Sequence, residues 1–135
     1  MSTLTFTRTA IAKIVVVDDE ILVRNAVRRK LLVAGYRIRL FTSGREAFDA
    51  IINEGIEIDL LLTDWELLDD IGEWKDGANL IMHLRKHGMR HPMILWSGNK
   101  DVFKLHEDGD NGPSRILGKE QAGELLEIIA ELLSE

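Results

Sequence analysis

The sequence predicts a single α/β domain built on a parallel sheet with helices on both faces. Short runs of β-branched and aliphatic residues alternate with longer stretches at helical spacing, the pattern of successive βα units. The runs Ile14-Val15-Val16-Val17 and Leu60-Leu61-Leu62 are apolar without alternation, as strands covered on both faces require. At 135 residues the chain has room for one core and little more.

The first strand is predicted at Lys13–Val17. Helix one follows over residues 21–34, with Val23, Ala26, Val27, Leu31 and Ala34 as its buried stripe and Gly35 as its left-handed stop. Strand two, Arg37–Phe41, alternates polar and apolar residues and reads as a sheet edge. Ser43 and Glu46 form a capping box at the start of helix two, whose stripe is Ala47, Phe48, Ile51 and Ile52 and whose stop is Gly55. Strand three is predicted at 58–63. A long loop runs from Trp65 to about Asp76, and helix three carries Leu80, Ile81 and Leu84 up to Gly88. Strand four is 93–96. The turn formers at 108–113 leave room for only a shortened or irregular fourth helix. Ile116-Leu117 is a brief fifth strand, and residues 120–133 form the closing helix. Residues 1–12 precede this domain, which spans 13–135; Leu4 and Phe6 alternate with Thr there, so a short extra strand and a disordered lead-in both fit.

Composition narrows the function classes. Apolar residues at 45% and charged residues at 30% are ordinary for a soluble globular domain. No apolar run approaches the roughly 20 residues that span a bilayer, and the polar start is not a signal peptide. The absence of Cys excludes disulfide frameworks and thiolate metal sites, and a cytoplasmic location fits. A net charge of −6 with no block of Lys and Arg argues against a nucleic-acid surface.

Functional side chains of open α/β sheets gather at the carboxyl ends of the strands, near the reversal of strand order. Those ends carry Asp18 and Asp19 after strand one, Asp64 after strand three, Ser97 after strand four and Lys119 after strand five. A flavodoxin-like order, 2-1-3-4-5, brings all five to one cleft. Crowded carboxylates repel unless a cation sits among them, and Mg²⁺ takes hard oxygen ligands of this kind. A carboxylate beside Mg²⁺ can attack phosphorus and form an aspartyl phosphate, with Lys119 and Ser97 as donors to the phosphoryl oxygens.

Val15-Val16-Val17-Asp18-Asp19-Glu20, Asp64 at the end of Leu60-Leu61-Leu62-Thr63, Ser97-Gly98 and Lys119 together resemble the receiver domain of bacterial response regulators, over about residues 13–135. The resemblance implies a doubly wound (βα)5 fold and a phosphorylation-dependent switch that is not a turnover enzyme. It implies that Asp64 is the phosphoacceptor, that Asp18, Asp19, Asp64 and the backbone carbonyl of Glu66 hold Mg²⁺, and that Ser97 and Lys119 engage the phosphoryl group. It places Glu66 and Asn99 beside the attacking water in dephosphorylation. It further implies that Ile21, Asn25, Arg28 and Leu32 of helix one dock a sensor histidine kinase or a phosphotransfer protein, with a downstream protein or effector domain as the output, no membrane insertion and no direct contact with nucleic acid.

The chain departs from that pattern in three places. Leu67-Leu68 stands where Met-Pro is usual, and the Asp76-Gly77 pair comes several residues late, after an insertion holding Asp69, Asp70, Glu73 and Trp74. The insertion reads either as a solvated acidic loop or as a lip over the cleft anchored by Trp74. Ile116 occupies the usual aromatic switch position and Glu120 the usual Pro, so the output surface reads as remodelled. Plainer readings stand beside the functional ones: Asp18 and Asp19 as helix caps, Lys119 as a surface lysine, Ser97-Gly98 as turn chemistry, and Glu66 and Asn99 as solvated loop residues. The plain reading of helix one is a mixed solvated face. His83, His87, His91 and His106 read as surface residues, and Trp65 as a cleft wall. A receiver-like module that binds partners without phosphorylation, and a small metal-dependent phosphohydrolase, are the rival functions.

Overall fold

Five parallel strands form one sheet in the order β2-β1-β3-β4-β5, with β1 at Lys13–Val17, β2 at Arg37–Phe41, β3 at Leu60–Asp64, β4 at Met93–Ser97 and β5 at Arg115–Gly118. The chain order of these strands reverses beside β1, so the fold is the doubly wound, flavodoxin-like one with order 2-1-3-4-5. The computed structural model describes residues 11–67, 74, 76–98, 107 and 110–135. The extra strand weighed for the first residues and the shortened fourth helix therefore lie outside the described residues, with Asn99 and His106.

Alternation along each strand divides the apolar residues between two layers. Val15, Val17, Leu61, Met93 and Leu95 pack with α2 (Gly44–Phe48) and α3 (Gly77–Lys86). Ile14, Val16, Leu60, Leu62, Ile94 and Trp96 pack with α1 (Ile21–Val33) and α4 (Leu125–Leu133). Leu60, Leu61 and Leu62 have no exposed surface, and each such leucine gains about 1.5–3 kcal/mol over remaining in water. β2 is only half-buried, because nothing pairs with its outer edge among the described residues.

Several boundaries differ from the sequence reading. β3 starts at Leu60 rather than 58; just before it, the Asp59 side chain accepts the Lys13 N–H at 2.8 Å. It runs on through Asp64, and β4 through Ser97, so both polar residues are the last of their strands rather than the first of a loop. α1 stops at Val33, and its stripe is narrower: Val27 and Leu31 are buried and Val23 half-buried, while Ala26 and Ala34 are exposed. Ser43 caps α2 by accepting the Glu46 N–H at 3.2 Å, and the helix then widens into a π turn, Asp49–Asn53. The closing helix divides into a 3₁₀ segment, Lys119–Glu124, kinked at Gln121, and α4.

Candidate functional site

β1, β3, β4 and β5 each deliver one or more polar groups to the same end of the sheet, so the strand-end expectation holds as geometry. Asp18, Asp19 and Asp64 present oxygens that all lie within 4.8 Å of one another. The Lys119 ammonium stands 3.4 Å from Asp18 Oδ2 and 3.4 Å from Asp64 Oδ1, with Glu20 Oε1 at 3.9 Å. A cleft of about 310 Å³ opens there, lined by Asp19, Glu20, Asp64, Glu66, Ser97, Gly98 and Lys119. Asp18 lies beneath it with no exposed surface, and Ser97 is buried at its wall.

Burial dominates the electrostatics. It pushes the Asp64 carboxyl up to about 7, with the Asp18 charge adding to the shift and Lys119 opposing it. Burial also raises Asp18, against the N–H of Glu20, which donates to its Oδ1 at 2.9 Å, and against Lys119. For Lys119 burial acts downward, but Asp64 and Asp18 more than offset it, so the ammonium is held charged above its usual range. Three carboxylates against one ammonium leave an excess of two negative charges when all are ionised. Such a set of hard oxygens, close-set and short of positive charge, fits a divalent cation of the Mg²⁺ type.

Backbone packing explains the late Asp-Gly pair. Asp76 caps α3 by accepting the Asn79 N–H at 2.8 Å. Gly77 then passes so close to β3 that a Cβ there would overlap the Asp64 carbonyl oxygen and come within 2.9 Å of Thr63 Oγ1. Its N–H donates to the Trp65 carbonyl at 2.8 Å, and Glu66 and Asp76 pair across an antiparallel bridge. The insertion is thus pinched at its base, directly beside Asp64, where α3 begins.

Other expectations are corrected. Trp65 is not among the residues lining the cleft; with Asp64 turned inward, its half-buried ring packs on the α2–α3 core. Trp74 does not line the cleft either: it stacks 5.1 Å from Phe48 and 4.8 Å from His83, on the flank of α2 and α3. His83 is half-buried by this contact rather than a free surface residue, while His87 and His91 are exposed. The residue before α1 is Glu20, which forms no side-chain cap; its N–H donates to Asp18 Oδ1 at 2.9 Å. Glu66 has an exposed side chain at the cleft rim, and Ile116 is buried. Gly77, Trp96 and Arg85 were missed. Only Gly77 carried a signal, its Asp-Gly pairing.

Comparison with known proteins agrees with the fold. Residues 14–130 match the model of the response regulator receiver domain. The chain belongs to that family. Among curated relatives, this receiver domain is 31% identical over 120 residues to the response regulator MprA of Mycolicibacterium vanbaalenii, covering 89% of this chain and 48% of that protein. MprA of Mycobacterium bovis is 30% identical over the same length. The chain spans about half the length of these relatives. Among solved structures, NtrX from Brucella abortus superposes with a TM-score of 0.78 at 25% identity, over 93% of this chain and 27% of that one. A CheY-like receiver domain protein from Methanospirillum hungatei superposes with a TM-score of 0.76 at 24% identity, over 93% and 95%, and supports the fold alone. No helix among the described residues is long and apolar enough to cross a membrane.

Proposed function

We propose that this receiver domain is a Mg²⁺-dependent phosphoacceptor switch with Asp64 as the acceptor. The observation that carries the reading is the Lys119 ammonium poised 3.4 Å from both Asp18 and Asp64 within the three-carboxylate cluster. Asp18, Asp19, Asp64 and the backbone carbonyl of Glu66 hold the ion, which supplies charge neutralisation for the attacking carboxylate and the incoming phosphoryl oxygens. An Asp64 oxygen forms the new P–O bond as the P–N bond of a partner's phosphohistidine breaks, and the electron pair returns to the imidazole. Lys119 then exchanges a carboxylate contact for a phosphoryl oxygen, and Ser97 donates its hydroxyl to another. The new group adds about −1.5 to −2 of charge, which biases the surface around β4 and β5. The domain is an acceptor and switch rather than a turnover enzyme.

The phosphoryl donor is a sensor histidine kinase or a phosphotransfer protein, docked through α1. Ile21, Asn25, Arg28 and Leu32 are all exposed there, Ile21 at 60%. The recipient of the signal is a downstream protein or effector domain in the cytoplasm. Incubation with Mg²⁺ and acetyl phosphate should add one phosphoryl group by intact mass, lost on Asp64→Ala and on chelation. If no mass is added and beryllofluoride leaves tryptophan fluorescence unchanged, the domain is a constitutive binding module instead.

A further inference from the structure

The residue before Ser97 is a tryptophan, and its environment is unusual in two respects. Trp96 is 4% exposed, within the apolar layer that also holds Leu117 and Leu125, and its Nε1–H has no hydrogen-bond partner. Buried tryptophans ordinarily place this donor on an acceptor, and an unmet donor favours replacement by a wholly apolar ring. The indole is therefore not held here for its N–H. Its face, however, lies 5.6 Å from the Lys119 ammonium, within the roughly 6 Å reach of a cation–π contact, and indole is the strongest partner for such a contact.

We infer that Trp96 is a positioning residue for Lys119, restraining the ammonium over the cleft between Asp18 and Asp64; this rests on the phosphoacceptor reading. Lys119 has a long, flexible stem and a side chain 24% exposed to water, and outward of the two carboxylates at 3.4 Å only the 66% exposed Glu20, at 3.9 Å, meets its ammonium among these carboxylates. A rigid ring fixed by the sheet on the remaining side removes that freedom and keeps the ammonium where the phosphoryl oxygens arrive. The contact also connects the last buried residue before Ser97 to the residue that opens the 3₁₀ segment, Lys119–Glu124. Movement of Lys119 toward a phosphoryl group is thereby felt by β4 and by the start of the closing helix.

The test is phosphorylation by acetyl phosphate with Mg²⁺, followed by intact mass against time for the parent, Trp96→Phe, Trp96→Leu, Lys119→Met and the Trp96→Leu/Lys119→Met double variant. Trp96→Leu should slow the reaction roughly 3- to 10-fold. Trp96→Phe, which keeps a ring face and deletes the unmet donor, should recover most of that loss. Trp96→Leu should add nothing once Lys119 is Met, because the two act as one unit. A leucine variant as fast as the parent, or one with the same loss in the Lys119→Met background, overturns the inference while leaving Asp64 phosphorylation standing. If the parent takes no phosphoryl group, the phosphoacceptor reading is what fails, and the contact is read directly. In a Trp65→Phe/Trp74→Phe chain Trp96 is the only indole of the three. Lys119→Met must then shift its emission; unchanged emission removes the contact as well.

Discussion

Asp64 concentrates the tension in this molecule. Its side chain is 6% exposed beside two other carboxylates, and burial pushes it up to about 7 from 3.8. The folded state therefore holds a proton that the unfolded state releases at lower pH, so without a divalent cation stability falls as pH rises from about 4 to about 7. Asp64→Asn keeps the shape and deletes the charge. Its stability advantage over the parent, read as urea midpoints in EDTA, should be small at pH 5 and larger at pH 8. Added Mg²⁺ should narrow the difference at pH 8 by stabilising the parent alone. An advantage that does not change with pH would mean that Asp64 is not a strained carboxylate. Its place at the end of an apolar strand was legible in the sequence; the depth of its burial was not, because that depends on which helices close over β3.

At the scale of elements, two joints hold the site. Gly77 lets the first turn of α3 lie against the Asp64 carbonyl. Gly77→Ala should force that turn away, cost about 1–3 kcal/mol by overpacking, and slow phosphorylation along with it. Thermal unfolding and the acetyl phosphate reaction together check this. Arg85 is the second joint. Although charged, it is 3% exposed, donating to the carbonyls of Met89, His91 and Gly112 at 3.0, 2.8 and 3.1 Å and to Ser114 Oγ at 3.3 Å. It thus ties the end of α3 to the turn that leads into β5. Arg85→Met should leave those carbonyls unmet and destabilise by roughly 2–3 kcal/mol, with faster hydrogen exchange across β5. Helical spacing puts position 85 on the Ile81 and Leu84 face while its charge suggests solvent; the returning chain at Gly112 and Ser114 supplies the acceptors that keep it interior. Ile116 belongs here too. It packs in the α2–α3 layer and donates its N–H to the Glu107 carboxylate at 2.8 Å.

Over the whole molecule, charge is unevenly distributed. Between residues 21 and 45, over α1, β2 and the start of α2, stand seven Arg and Lys and no Asp or Glu, in a chain whose net charge is −6. Reading the chain for blocks of consecutive charges passes over this asymmetry, because the basic residues are spaced along a helix and an edge strand. Ile21 and Leu22 are 60% and 79% exposed and Val33 84%, beside the exposed Arg28 and Arg29. An apolar face with a basic surround suits a partner with an apolar centre and acidic rim. Arg28→Glu should leave phosphorylation by acetyl phosphate unchanged and slow transfer from the cognate kinase, most visibly at low salt. Transfer unchanged by the charge reversal would move the docking surface elsewhere.

The alternation of strands and helices, the unbroken apolar runs of β1 and β3, and the acids and lysine at strand ends can all be read from the residues alone. These are local properties, carried by a period of two or of 3.6 residues and by the chemistry of single side chains. What those residues meet follows from the folded arrangement. Lys119 and Asp18 are 101 positions apart and bonded. Trp96 faces Lys119 because alternation along β4 turns it into the α1–α4 layer, and Trp74 turns toward Phe48 and His83 because the insertion is pinched beside Asp64. Contacts of this kind depend on which faces pack together, and that is settled only when the sheet and its two helical layers close on one another.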